Sequence, residues 1–151
     1  MAVKPDLAAT LAGLSVITDI CRDDWWIISG AAAALYAAVD IPTNDLDLLV
    51  SPDDAARLSE HFVLPNRADG RHPKFRSDFL LRYDWLALPV EIMAGFEAHD
   101  GADWHLVEPR TRIAIPQANQ IIYVPGRAEL TEMLRLFGRP KDAERIAYLS
   151  D

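Results

Sequence analysis

Two aspartates separated by a single residue, Asp45 and Asp47, stand at the head of the apolar run Leu46-Asp47-Leu48-Leu49-Val50. The alternation of polar and apolar residues from Asp45 to Leu48 predicts a strand over 45–50. Residues two apart on a strand share a face, roughly 6.6–7 Å from one another. The two carboxylates are therefore side by side, a costly arrangement unless a cation lies between them. A hard dication such as Mg²⁺ suits the pair, because it takes oxygen ligands and keeps positions free for phosphates. Upstream, Trp25 to Ile28 reads as a short buried strand, and Ser29-Gly30 follows it and opens an alanine-rich helix over 30–39. A glycine at that point lets the backbone approach a ligand closely, and the helix N-terminus offers free N–H groups and a positive dipole to an anion. The Ser29 hydroxyl adds a donor. A phosphate cradle beside a metal-holding carboxylate pair supplies what nucleotidyl transfer needs: the triphosphate held, its charge neutralised, an attacking oxygen aligned.

Other elements must hold these residues in place. Leu7, Leu11, Leu14, Ile17, Ile20 and Cys21 recur at helical spacing and predict one amphipathic helix over 5–22. Ile41-Pro42-Thr43-Asn44 is a break before the aspartate strand. Ser51-Pro52-Asp53-Asp54 is a helix start, with Ser51 as N-cap, and that helix runs to about Phe62. Residues 65–73 form a polar loop. Strands are expected over 74–83 and 86–93, a second loop over 95–109, and short strands over 110–115 and 120–124. Helices are expected over 126–137 and 141–149, separated by Gly138 and Pro140. Interleaved helices and strands argue an α/β (α+β) fold, a short mixed β-sheet packed with helices, in one domain spanning residues 1–151.

The run strand–Ser29-Gly30–helix–Thr43-x-Asp45-Leu46-Asp47-Leu48 resembles the nucleotidyltransferase superfamily related to DNA polymerase beta, and among its members the small, minimal ones. Val90-Glu91-Ile92-Met93 fits the later strand that brings a third carboxylate, with Glu91 inside an otherwise apolar run. Gly138-Arg139-Pro140-Lys141-Asp142 resembles the Arg-x-Lys-Asp ending of several such small proteins. The likeness covers about residues 25–149. It implies the minimal nucleotidyltransferase fold with C-terminal helices. It also implies two Mg²⁺ ions (or Mn²⁺ in their place) on Asp45, Asp47 and Glu91, with Glu91 as base for the acceptor hydroxyl. Ser29, Gly30, Thr43 and Lys141 then bind the nucleoside triphosphate. The acceptor is an unknown small molecule or protein, since antibiotic-modifying enzymes and the transferase halves of toxin–antitoxin pairs are among the small members. Two positions depart from the pattern: Ser29 replaces the first glycine of the pair, and Pro42 stands where many small members carry a nearby arginine.

Each feature has a plainer reading. Glu91 could pair with an arginine such as Arg76 or Arg82, which share a face by strand parity. Asp84 competes as third acid but sits between Tyr83 and Trp85 at a strand end. Lys141 and Asp142 fit the first turn of a surface helix. His61, His72, His99 and His105 lack metal-ligand spacing, and Cys21 lies at a packing position. Of the adjacent Trp25 and Trp26, one faces outward. Composition then narrows the partners. The 151 residues carry 23 acidic and 15 basic side chains, a net charge of −8, with half the residues hydrophobic. That balance excludes a disordered chain and argues against nucleic-acid binding, although Arg67 to Arg82 holds a local basic cluster. The most apolar stretch, Ser29 to Val39, is too short to cross a bilayer. One cysteine and no signal peptide point to the cytoplasm. In so short a chain, a partner protein or a second copy would complete an acceptor cleft. The rival function is a regulatory or antitoxin-like binding module on the same fold. A metal-dependent hydrolase would need histidine ligands.

Overall fold

The computed structural model describes residues 5–37, 41–117 and 119–150. Its central sheet has the order β1-β2-β5-β4, formed by β1 (Trp26–Ile28), β2 (Leu46–Leu49), β4 (Phe79–Tyr83) and β5 (Val90–Ala94). β2 runs parallel to β5, while β1 and β4 are antiparallel to their neighbours. The register sets the chemistry. Ile27, Leu48, Ile92 and Leu81 lie opposite one another and are fully buried, so the apolar half of each alternating strand makes one core face. Ile28, Asp47, Glu91 and Arg82 lie opposite one another on the other face. One phase of the alternation thus builds the core and the other lines a cleft.

Helix α3 (Ser29–Tyr36) leaves β1 directly, one residue earlier than expected and capped at Ala37, while positions 38 and 39 of the expected helix lie outside the described residues; Ser29 through Leu35 are all buried. Its alanines let α5 (Arg127–Phe137) and α6 (Pro140–Leu149) approach closely, and both pack on it. Helix α4 (Pro52–Phe62) packs on β4 and β5. Its start is as expected: the Ser51 Oγ accepts from the Asp54 amide at 3.0 Å, with Pro52 in the first turn. Gly138 takes φ +64° and ends α5, which also matches the expected break. Among the described residues, no helix is long and apolar enough to cross a membrane.

Several expectations need correction. The helix over 5–22 is interrupted: α1 (Pro5–Gly13) and α2 (Ser15–Thr18) flank Leu14. Leu86 packs where a side chain on Gly13 would stand, and glycine is a poor helix former, so the chain turns there while Leu7, Leu11, Leu14 and Ile17 stay buried. The single strand over 74–83 is two: β3 (Phe75–Arg76) leaves the central sheet to pair with β6 (Glu97–His99). The switch falls where the Asp78 amide donates to the Ala94 carbonyl and Gly95 turns at φ +61°. The loop over 95–109 contains β6 and β7 (Trp104–Leu106), which complete the three-stranded sheet β3-β6-β7. They are joined by a tight turn in which the Asp100 carboxylate accepts from the amides of Ala102 and Asp103. The strand expected over 86–93 begins only at Val90, and the one expected over 45–50 is confined to Leu46–Leu49, which leaves Asp45 just before it. β8 (Ile113–Gln117) starts three residues later than expected and forms a hairpin with β9 (Gln120–Val124).

Candidate active site

A cleft of about 200 Å³ opens on the polar face of the central sheet. Asp45, Asp47 and Glu91 form one wall, and Arg139, at the N-cap of α6, with Lys141 and Arg145 from the helix itself form another. Ser29 closes the end beside β1, while Phe75, Leu80, Met93, Phe96 and Phe137 make an apolar flank. The volume is below the roughly 300–1,000 Å³ of typical small-molecule sites, so a nucleotide seated here would project into solvent.

The carboxylates feel each other. Burial, then the charges of Asp45 and Glu91, push the Asp47 carboxyl up to about 7. Burial and Asp45 likewise raise Glu91, opposed mainly by Arg82. Arg82 Nη1 lies 3.4 Å from the Glu91 carboxylate, and its Nε donates to Asp84 at 2.8 Å. The plainer pairing of Glu91 with Arg82 is therefore present, and Asp84 is occupied with the same arginine. Among the described residues, no three His, Cys, Asp or Glu side chains already stand close enough to cage a metal ion. The donor set nonetheless fits a hard dication: Asp47 and Glu91 are paired on adjacent strands and Asp45 directly precedes β2, three oxygen-only ligands whose mutual repulsion a cation would relieve.

Ser29 has φ +60°, a left-handed conformation that glycine adopts freely and serine does not. The first position of the pair, where the resembled pattern has glycine, is thus the strained one. Its Oγ accepts from Arg145 Nη1 at 3.3 Å. Gly30 lies behind the cleft wall and has a different constraint. A Cβ there would stand 2.5 Å from Arg145 Nη2, so the glycine makes room for the arginine. Thr43 is not part of the wall, and its hydroxyl donates to the Ile41 carbonyl at 3.1 Å. Lys141 is on the wall.

Sequence reasoning left Arg139 and Arg145 without a role, and it read Asp142 as a helix-surface residue. Asp142 is instead fully buried. It accepts from Arg139 Nε at 2.6 Å, Arg139 Nη2 at 3.0 Å, the Arg139 amide at 3.1 Å and Arg145 Nη1 at 3.3 Å. The signal was there: positions 139, 142 and 145 recur every three residues, which places them on one helix face. The aromatic flank was not legible, because Phe75, Phe96 and Phe137 come from three separate segments of the chain. Elsewhere, burial pushes the Cys21 thiol up to about 12, in keeping with packing rather than nucleophilic chemistry. Trp25 is buried and Trp26 is the partly open one of the pair, its Nε1 donating to the Thr111 carbonyl.

No protein-family profile matches the chain, and no curated protein matches it in sequence. Solved structures do. A protein from Thermotoga maritima described as a candidate nucleotidyltransferase superposes with a TM-score of 0.68 at 18% identity, over 97% of this chain and 93% of its own. The lincosamide antibiotic adenylyltransferase LnuA, bound to lincomycin, gives 0.57 at 11% identity over 100% and 99%. ANT(2″)-Ia, in complex with adenylyl-2″-tobramycin, gives 0.56 at 11% identity over 94% and 86%. The chain has the nucleotidyltransferase fold, the minimal α+β arrangement that the family resemblance implied.

Proposed function

We propose that this protein is a Mg²⁺-dependent nucleotidyltransferase that moves a nucleoside monophosphate from a nucleoside triphosphate to a hydroxyl of an acceptor. The observation that carries the reading is the cleft itself, which gathers three carboxylates (Asp47 and Glu91 on one sheet face, Asp45 just before β2) and three cations from the cap and body of α6. Asp45, Asp47 and Glu91 would hold the metal, which supplies charge neutralisation for the triphosphate and the departing pyrophosphate. Lys141, Ser29 and the first turn of α3 lie on the side where the phosphates would bind, with Thr43 behind them as a support of the 41–45 loop. Glu91, on the far side from Ser29, takes the proton of the acceptor hydroxyl. The hydroxyl oxygen bonds to the α-phosphorus as the bond to the bridging α–β oxygen breaks, and pyrophosphate leaves with that electron pair. A small-molecule acceptor is favoured by the antibiotics carried by two structural neighbours, and a protein acceptor is the alternative. With so small a cleft, a partner protein or a second copy of the chain completes the acceptor side, and the reducing cytoplasm suits the lone cysteine.

One observation favours a second reading, a regulatory or antitoxin-like binding module: Arg82 engages the Glu91 carboxylate. Transfer of label from α-³²P nucleoside triphosphates to a panel of aminoglycosides, lincosamides and candidate partner proteins separates the two. Mg²⁺-dependent labelling that Asp45→Asn and Glu91→Gln abolish supports the transferase. Tight partner binding without labelling, unchanged in Glu91→Gln, supports the module.

A further inference from the structure

We propose that Arg139 and Arg145, clamped by the buried carboxylate of Asp142, form a polyphosphate anchor over the first turn of α3 that works without metal. The proposal rests on the transferase reading only for the anchor's natural occupant, the triphosphate of the donor. The clamp itself stands on three observations. Asp142 is fully buried and receives hydrogen bonds from both guanidinium groups, so one negative charge serves two positive ones and the trio keeps a net charge of +1. Lys141 lies on the same wall. The second observation is electrostatic. Arg145 reaches from α6 to the Ser29 hydroxyl and over Gly30, which puts a cation on the positive end of α3. That helix end is buried and no side chain caps it. Two positive features facing each other are unfavourable until an anion joins them, and an oxyanion can take hydrogen bonds from both. The third is steric. A methyl group on Gly30 would overlap the Arg145 guanidinium where it now lies, so the glycine lets this arginine settle here and a side chain would push its flexible end aside. Arg139 is fixed too, its guanidinium stacked 5.0 Å from the Phe75 ring and 5.6 Å from that of Phe137. Both cations are thus pre-organised, with little left to order when an anion arrives.

Asp142 is then a positioning residue, acting through the two arginines. Charge counting and positioning make opposite forecasts for its removal. Asp142→Asn removes a negative charge from the two arginines, so electrostatics alone predicts tighter anion binding. Positioning predicts weaker binding, because the guanidinium groups lose their anchor.

The test is calorimetric titration of the full chain with inorganic tripolyphosphate in EDTA, over a range of NaCl concentrations. The wild type is expected to bind, with affinity falling as salt rises. Arg145→Gln is expected to lose roughly 10- to 100-fold, the equivalent of one charge-assisted hydrogen bond. Gly30→Ala, which keeps every charge and improves helix propensity, is expected to weaken binding by displacing Arg145. Asp142→Asn is expected to weaken it as well, with its unfolding midpoint read separately. Arg71→Gln, on the exposed 65–73 loop, is expected to leave affinity unchanged. Equal affinity in wild type, Arg145→Gln and Gly30→Ala overturns the proposal, as does wild-type binding that needs Mg²⁺. Tighter binding by a folded Asp142→Asn overturns the positioning role. Competition identifies the occupant: a nucleoside triphosphate that displaces tripolyphosphate shares the anchor. Tripolyphosphate binding that Arg145 controls, with no Mg²⁺-nucleotide binding, leaves the anchor standing and removes the transferase reading.

Discussion

Asp47 carries opposite demands from stability and function. Its carboxyl is raised to about 7 in the folded protein from an ordinary value of 3.8, first by burial and then by Asp45 and Glu91. The folded state therefore holds this proton more tightly than the unfolded state does. Below about pH 4 both states are protonated and the group contributes no penalty. As pH rises from about 4 to about 7, the unfolded chain ionises first and stability falls. At about 1.4 kcal/mol per unit, the loss is at most roughly 4 kcal/mol. Asp47→Asn is thus expected to stabilise the metal-free protein at pH 8 relative to wild type, and to make little difference at pH 4. Urea unfolding of both proteins in EDTA at the two pH values measures this. The same substitution is expected to abolish Mg²⁺-dependent nucleotide binding. A second residue-scale expectation concerns Cys21: with its thiol raised to about 12, it should resist a thiol reagent at pH 8 in the native state and react on unfolding. A native-state reaction as fast as that of the unfolded chain would contradict the assignment.

At the scale of elements, what the sequence disclosed depended on how local the determinants are. Helix α4 was readable from Ser51-Pro52-Asp53-Asp54 alone, since capping is a matter of four adjacent residues. Ser51→Ala is expected to cost about 1 kcal/mol of unfolding free energy, read by urea titration, while leaving nucleotide binding intact. The aspartate strand was equally legible, because alternation encodes which side chain faces which side. The division of 74–83 between two sheets was not. That change of partner depends on Asp78 meeting Ala94 and on a turn at Gly95, contacts made far along the chain. β6 and β7 are three residues each and too short for a periodic signal. The far end of α4 offers a further test. Val63 sits at φ +56°, unfavourable for a β-branched residue, and its side chain is largely exposed. Val63→Gly is expected to raise stability by about 1 kcal/mol, since the strain relieved exceeds the added chain entropy. An unchanged or lower denaturation midpoint would contradict it.

At the scale of the whole molecule, the site is a meeting of distant segments. Asp45, Asp47 and Glu91 could be singled out from sequence because Asp47 and Glu91 stand in apolar strands, where an acid stands out, and Asp45 directly precedes one. Arg139 and Arg145 were overlooked because arginines on an amphipathic helix are ordinary until the tertiary structure turns them inward. The cleft gathers both signs of charge in a protein whose overall charge is −8. That separation suits a ligand that is itself a complex of anion and metal. The most direct test is the unfolding midpoint of wild type and of the Asp45→Asn/Asp47→Asn double variant, with Mg²⁺ and each of the four nucleoside triphosphates in turn. A ligand at 100 times its dissociation constant stabilises by about 2.7 kcal/mol. The account predicts that at least one triphosphate with Mg²⁺ raises the midpoint of wild type and leaves the double variant unmoved. No shift with any nucleotide, or an equal shift in both proteins, would contradict a metal-nucleotide site at Asp45 and Asp47.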